Sequence, residues 1–333
     1  MIDRHGRDNK ILVWQIRDED ESLFSKILPI DDPTSERKQP WLLHSLDVNA
    51  LNFCSFATCH VPQADPTTTE STATTTGQDQ QAQAQSILLA YPGVQDGLIT
   101  LTSLPTSTRI GTIPAPKDTN AGMLMAVSIH QATSSPTSLL VAAGYESGHI
   151  ALWRQTHSEA TAATSPKWTT TYLHKPHSQP VLSIALAPQL ESFFSSSADA
   201  VVARHPLLLS ATSAPALESK ELQTRHAGQQ ALVVRGDGKI FATASWDGRV
   251  RVYSTRKMVE LAVLKWHREG CYAAAFAEVL DEVQGVGDGD ADGEDGGGRG
   301  TLTVSQRREA RSRATHWLAA GSKDGKVSLW DIY

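Results

Sequence analysis

One short phrase recurs along the chain, and the recurrence limits what it can fold into. Gly321-Ser322-Lys323-Asp324-Gly325-Lys326-Val327-Ser328-Leu329-Trp330-Asp331 has counterparts at Ser245-Trp246-Asp247-Gly248-Arg249-Val250-Arg251-Val252-Tyr253, at Gly144-Tyr145-Glu146-Ser147-Gly148-His149-Ile150-Ala151-Leu152-Trp153, and at Gly6-Arg7-Asp8-Asn9-Lys10-Ile11-Leu12-Val13-Trp14. Each copy reads as a small-residue strand end, an Asp-Gly-type turn and an alternating strand closing on Trp or Tyr. Asp-Gly and Asp-Asn supply the positive φ of a tight hairpin, here expected to be a two-residue one, and the alternation supplies a face of period two. Helical and doubly wound α/β folds have no use for such a phrase. A repeated antiparallel unit does.

Copies about 40 to 45 residues apart that end in Trp-Asp are the mark of WD40 repeats, each one a four-stranded propeller blade, so the expected fold class is an all-β WD40 β-propeller. Trp153 and Tyr253 stand about 100 residues apart, room for two blades, and the weaker one is found in Pro180–Ala187, Phe193–Asp199 and Ala200–His205, without a terminal Trp. A second degenerate unit runs from Leu46–Phe56 through Ser86–Tyr91 to Gly97–Leu101. That makes six turn-plus-strand units in one domain, 1–333, the first with no strand before its turn. Propellers close by completing a terminal blade with a strand from the other terminus. The last unit stops after three strands and so expects its fourth from an N-terminal segment. With Met1 directly before a hairpin, the reading is a propeller short of about one and a half blades, or about five and a half blades in all; the alternative is a six-bladed form with a degenerate first blade.

Three stretches interrupt the repeat: a Thr/Gln/Ala tract at 62–86, a Ser/Thr/Ala tract at 158–166, and an acidic then basic tract at 281–315. None has the apolar content to order itself. The first and third fall between the first and second strands of a blade and the second between third and fourth, so all three belong to one face. The opposite face carries only short turns, and Glu146, Trp246, Arg249 and Lys323 on it are candidate partner contacts. Net charge is −6, and residues 281–300 alone, with seven acids and one base, account for it. The remainder balances, so direct nucleic-acid binding is not expected. No run approaches the roughly 20 apolar residues of a membrane span. Cys54, Cys59 and Cys271 make neither a disulfide framework nor a zinc set, which suits a reducing compartment.

Motifs that imitate chemistry fail on their spacing. Asp288-x-Asp290-x-Asp292-Gly293 opens like a calcium loop, but its twelfth position is Arg299 instead of a bidentate Glu. Gly321-x-x-x-Gly325-Lys326 is one residue short of a phosphate loop and has Val327 where Ser or Thr must meet magnesium. There is no His-Glu-x-x-His and no Gly-x-Ser-x-Gly turn. Arg307–Arg313 is a basic cluster that an import receptor could read, or that could fold back on its acidic neighbour. His267, Ser322, Asp324 and Trp330 match the His, Ser, Asp and Trp that tie a loop to its blade in WD repeats. His226, Ser245, Asp247 and Tyr253 resemble a second such set. The role expected of both is structural, and no catalytic, cofactor or metal site is expected.

Beyond the generic repeat, His5–Gln15, Leu43–Cys54, Gly144–Gly148 and Ala244–Tyr253 resemble the fungal ASTRA-associated protein 1 family, itself similar to the animal guanine-nucleotide-binding-protein β-subunit-like propeller. The phrases Asn49-Ala50-Leu51-Asn52-Phe53-Cys54 and Gly144-Tyr145-Glu146-Ser147-Gly148 are the most specific parts. The resemblance implies a seven-bladed, non-catalytic scaffold in the nucleus, and also in the cytoplasm. Its partners would be protein subunits of the ASTRA complex and kinase-maturation co-chaperones, in chromatin remodelling and in maturation of kinases related to phosphatidylinositol 3-kinase. It implies no nucleic acid, membrane, cofactor or small-molecule substrate. The alternative is a WD40 adaptor of another complex, such as a ubiquitin-ligase substrate receptor or a G-protein β-like subunit.

Overall fold

The structure is a computed structural model that describes residues 2–5, 9–17, 40–49, 53–61, 86–117, 119–131, 139–156, 167–207, 219–279 and 315–332, with isolated positions 19, 303, 308 and 312. Two compact units divide the chain, Met1–Lys175 and Pro176–Tyr333. The tracts at 62–85 and 158–166, the calcium-loop lookalike and most of 281–315, including most of the basic cluster, lie outside the described residues.

In the first unit, β1 (Ile2–His5), β2 (Lys10–Gln15) and β3 (Trp41–Asp47) form a three-stranded antiparallel sheet. A second sheet follows in order from β4 (Ala57–Val61), β5 (Ser86–Pro92), β6 (Ile99–Leu104) and β7 (Thr108–Ile113), and a third from β8 (Leu124–Gln131), β9 (Leu139–Tyr145), β10 (Ile150–Thr156) and β11 (Lys167–His174). The second unit has β12 (Val181–Leu186), β13 (Ser192–Ser197), β14 (Val201–Pro206) and β15 (Lys220–Gln223). Next come β16 (Gln229–Val234), β17 (Ile240–Ser245), β18 (Arg249–Ser254) and β19 (Glu260–Lys265), then a three-stranded sheet of β20 (Cys271–Phe276), β21 (Trp317–Ser322) and β22 (Val327–Asp331). Every pairing is between chain neighbours, the meander expected of propeller blades.

In the four-stranded sheets the second and third strands are buried on both faces along most of their length. β9 is buried along its whole length, and β17 likewise. Such strands lose the polar alternation of a half-exposed strand and read as continuous small and apolar runs, as Leu139-Leu140-Val141-Ala142-Ala143 does. Ile11 and Val13 of β2 pack with Leu89, Tyr91 and Leu104. In the second unit Val250 and Val252 of β18 pack with Cys271, Leu318 and Ala320. A stack of Phe194, Phe241 and Tyr253, with centroids 4.9 Å apart at each step, continues that core.

Three details differ from the sequence reading. The first hairpin does have a leading strand, since β1 pairs with β2 from Ile2 to His5. The stretch Leu46–Phe56, read as the start of the second degenerate unit, belongs in part to the sheet before it: β3 ends at Asp47, residues 53–56 are irregular, and the inner strand of the second sheet is Ala57–Val61. The apolar run there is split between the end of one sheet and the approach to the next, a distinction that hydropathy does not register. The repeated turn is also longer than a two-residue hairpin. Ala244 pairs with Val250 and the Gly248 amide donates to the Ser245 carbonyl at 3.1 Å, leaving Trp246-Asp247-Gly248 between the strands. Gly148, Gly248 and Gly325 take φ of 84°, 75° and 75°. A type I turn closed by one left-handed residue needs positive φ at that residue only, which explains why Asp, and not a second glycine, precedes it.

Candidate functional site

The connections of each sheet alternate between its two ends. First-to-second and third-to-fourth strand connections leave one end, and these hold the long tracts. At the other end lie the short repeated turns and the links from one sheet to the next. The second unit builds its polar networks and most of its exposed aromatic and basic side chains at that short-looped end.

The first network joins β22, the turn before it and the link that precedes β20. His267 sets Nδ1 3.4 Å from Asp324 Oδ2 and Nε2 2.9 Å from Ser328 Oγ, and Trp330 Nε1 donates to the same hydroxyl at 2.9 Å. One assignment of protons satisfies all of it: the indole N–H donates to Ser328, the hydroxyl to His267 Nε2, and His267 Nδ1–H to the carboxylate. His267, Asp324 and Trp330 thus stand together as expected. Ser322 does not join them. Its hydroxyl donates to the Glu269 carbonyl at 3.2 Å and accepts the Asp324 amide at 3.3 Å, so it shapes the turn while Ser328 completes the network. Burial works against the Asp324 charge, but bonds from the Lys326 amide and His267 hold its carboxyl below the usual range.

The second expected set is not assembled. Asp247 accepts from Arg251 at 2.6 and 3.2 Å, and His226 contributes only backbone, its carbonyl accepting from Gln229 Nε2 at 2.8 Å. Ser245 Oγ donates to the Ala227 carbonyl at 3.3 Å. Tyr253 stacks on Phe241 and burial pushes its hydroxyl pKa up to about 12. Arg251 is the reason. It is 1 % exposed, with Asp247 on one side and Glu260 at 3.7 Å on the other, and a buried guanidinium claims the nearest carboxylate before an imidazole can. Asp247 lies partly buried, yet Arg251 holds its carboxyl below the usual range.

A complete network stands instead in the sheet whose repeat lacks a terminal Trp. His177 Nδ1 lies 3.3 Å from Asp199 Oδ1, His177 Nε2 lies 2.8 Å from Ser195 Oγ, and Ser195 Oγ lies 2.8 Å from His205 Nε2. His205 on β14 does for this sheet what Trp330 does for the last, donating a ring N–H to the central serine, while it stacks on Phe193 at 4.7 Å. Ser195 and His205 are fully buried and His177 nearly so. Asp199 also accepts from the Ser178 and Val201 amides, each at 2.9 Å, and although burial opposes its charge these bonds keep its carboxyl low. The signal was present as His177, Ser195 and Asp199 in order. It was hidden because the aromatic at the end of the unit is an imidazole.

The partner-face candidates are all exposed at short-looped ends. Glu146, in the first unit, accepts the Met123 amide through Oε2 at 3.2 Å and lies over Gly122. In the second unit Trp246 is 46 % exposed, donates Nε1 to Gln230 Oε1 at 2.8 Å, and lies so close over Gly228 that a Cβ there would be 2.3 Å from the indole. Arg249 and Lys323 have no carboxylate partner among the described residues; their amides bond to Asp247 Oδ1 and to the Gly270 carbonyl.

Cys54, Cys59 and Cys271 are buried thiols that form no disulfide. Burial raises all three thiols, Cys271 to about 11 with the Asp324 and Asp247 charges adding to the effect. Cys59 lies on β4, but Cys54 is in the irregular segment before it. Gly321–Lys326 is the β21–β22 hairpin. Among the described residues no group of three or more His, Cys, Asp or Glu could hold a metal ion, and no helix is long and apolar enough to cross a membrane.

The chain's second unit matches the family model for the WD domain, G-beta repeat, at residues 219–254 and 311–331. Over 99 % of its length the chain is 43 % identical to ASTRA-associated protein 1 of Aspergillus flavus and 46 % identical to that of Verticillium alfalfae, covering 80 % and 76 % of those proteins. It is 30 % identical to mouse guanine nucleotide-binding protein subunit beta-like protein 1 over 75 % of the chain and 61 % of the mouse protein.

Proposed function

The chain belongs to the ASTRA-associated protein 1 family, with the WD40 propeller as its fold, and from that membership we propose that it is a non-catalytic scaffold subunit of an ASTRA assembly. The observation that carries the reading is identity above 40 % along 99 % of the chain to proteins whose name states that association. The assembly's work, in this proposal, is chromatin remodelling and the maturation of phosphatidylinositol 3-kinase-related kinases together with kinase-maturation co-chaperones. A rigid set of blades suits such work, because it presents several partner surfaces without chemistry of its own.

The absence of catalysis is supported by how the triad-like networks are closed. A nucleophilic serine must reach substrate, whereas Ser195 is fully buried and tied on both sides by imidazoles, and Ser328 is buried between His267 and Trp330. His177, Asp199, His205, His267, Asp324 and Trp330 serve in this reading as fasteners between loops and blades. Glu146, Trp246, Arg249 and Lys323 serve as partner contacts. In this proposal the protein works in the nucleus and also in the cytoplasm, with Arg307–Arg313 the stretch an import receptor would read.

The test is affinity purification of the tagged protein from its native cells, followed by mass spectrometry of what accompanies it. Recovery of ASTRA-family subunits is expected. Their absence under conditions that recover other stable complexes contradicts the assignment.

A further inference from the structure

The short-looped end of the second unit collects like charge beside exposed aromatic surface. Arg225, Arg249, Lys265, Arg268, Lys323 and Lys326 are exposed there, and among the described residues Glu269 is the exposed carboxylate outside the networks. Asp247 and Asp324 lie in the same turns, but Arg251 and His267 already occupy them. The local balance is therefore strongly basic, in a chain whose charges outside 281–300 cancel.

Three exposed aromatic side chains lie within this basic surface: Trp266, with Lys326 Nζ 5.7 Å from its ring centre, and two that the backbone brings together, Trp246 and Tyr272. The inner strands carry a bulge near this end. Register skips from Gln229 to Ala231 on β16 and from Cys271 to Ala273 on β20, so Gln230 and Tyr272 leave the ladder. A bulge re-aims the side chain it carries. Gln230 turns to receive Trp246 Nε1, and Tyr272 is 45 % exposed. Gly270 makes the approach possible: a Cβ there would be 3.1 Å from the Trp246 carbonyl oxygen and 3.2 Å from the Tyr272 ring, and its own carbonyl takes the Lys323 amide at 2.9 Å. One glycine thus gathers Trp246, Tyr272 and Lys323. Trp246 covers Gly228 with its indole, is held there by the Gln230 bond and remains 46 % exposed.

We propose that the Trp246–Tyr272 pair and the surrounding Arg249, Lys323 and Arg268 form a docking site for an acidic linear segment of a partner protein, with one apolar or aromatic side chain seated against the two rings. The carboxylates of such a segment meet the cations at the rim, where they speed encounter and set register. The apolar anchor supplies the buried contact, in the way that fixed aromatics carry most of the energy of an interface. The proposal deepens the scaffold reading, resting on it only in taking the occupant to be a protein.

Fluorescence anisotropy on the purified full chain tests it, with a labelled peptide of about a dozen residues, rich in Glu around one central Trp, as the probe. Saturable binding is expected. It should weaken about tenfold in R249E/K323E and in Y272A, and more steeply as salt is raised. A Glu peptide without the Trp should bind about tenfold less well. These variants alter exposed side chains, and unchanged melting confirms their fold. Equal binding of the Trp-free peptide, tighter binding of a single-stranded oligonucleotide than of the peptide, or unchanged affinity in the variants each overturns the proposal. Peptide binding without co-purifying ASTRA subunits would remove the assembly and keep the site. Co-purification without peptide binding would do the reverse.

Discussion

Replacing Ser195 by Ala removes one hydroxyl and two hydrogen bonds, and the structure sets the cost. Ser195 Oγ lies 2.8 Å from His177 Nε2 and 2.8 Å from His205 Nε2, at a position with no solvent exposure. With the serine gone, one imidazole nitrogen loses its donor and the other its acceptor, and water has no route to replace either. A buried polar group left unsatisfied costs about 1–3 kcal/mol. Two of them, with some relaxation allowed, come to roughly 2–4 kcal/mol. Ser322→Ala is the control, since that residue is partly exposed and outside the network, and its loss should cost below about 1 kcal/mol. For a unit of the second unit's size each kcal/mol lowers Tm by about 2–4 °C, so S195A should melt several degrees below S322A. Urea denaturation followed by circular dichroism gives both free energies. Equal stabilities for the two variants would refute the reasoning and with it the role of His205 as a substitute for Trp.

The Asp247–Arg251 pairing predicts that D247A costs roughly 3 kcal/mol, because Arg251 is left buried without its carboxylate; a double-mutant cycle should show coupling with R251 variants and none with H226A. The carboxyls of Asp199, Asp247, Asp324 and of Asp237, whose Oδ2 accepts from Arg235 at 2.7 Å, all sit below their ordinary value in the folded protein. Their stabilisation is complete above that ordinary value and fades as pH falls through it and on through the lower folded values, so acid titration by circular dichroism should show progressive loss there, and flat stability from pH 5 to about 2 would contradict the pairings. Gly228→Ala places a Cβ at φ +74° inside the Trp246 ring and should cost at least about 1–2 kcal/mol while shifting tryptophan emission toward that of a solvated indole. The three buried thiols should react with a thiol reagent at pH 8 only as fast as the protein unfolds, and a burst of modification in native buffer would show one of them to be accessible.

The hairpins were legible because each depends on local covalent facts: a residue able to take positive φ, small residues before it and alternation after it. The buried second and third strands were legible as apolar runs. What the sequence hid depends on contacts across strands. Arg251 alternates with Val250 and Val252 like a solvent-facing residue, yet it is buried, and from there it takes Asp247 away from His226. Ser322 and Ser328 both stand near Asp324 in sequence, and only the register of β22 against the link before β20 selects Ser328. His205 gave no sign of a Trp-like role until Ser195 was seen beside it. The aromatic pair of the docking site depends on close approach at Gly228 and Gly270 and on the bulge at Tyr272, none of which local pattern encodes.

Crosslinking of the affinity-purified assembly with a lysine-reactive reagent tests the central claim most directly, because it reads partner identity and contact face together. Lys265, Lys323 and Lys326 lie at the short-looped end of the second unit, whereas Lys239 and Lys257 lie in turns at the other end. Crosslinks to ASTRA-family subunits should concentrate on the first three. Crosslinks to those subunits from Lys239 and Lys257 alone, or a purified assembly with no ASTRA-family subunit in it, would contradict the account.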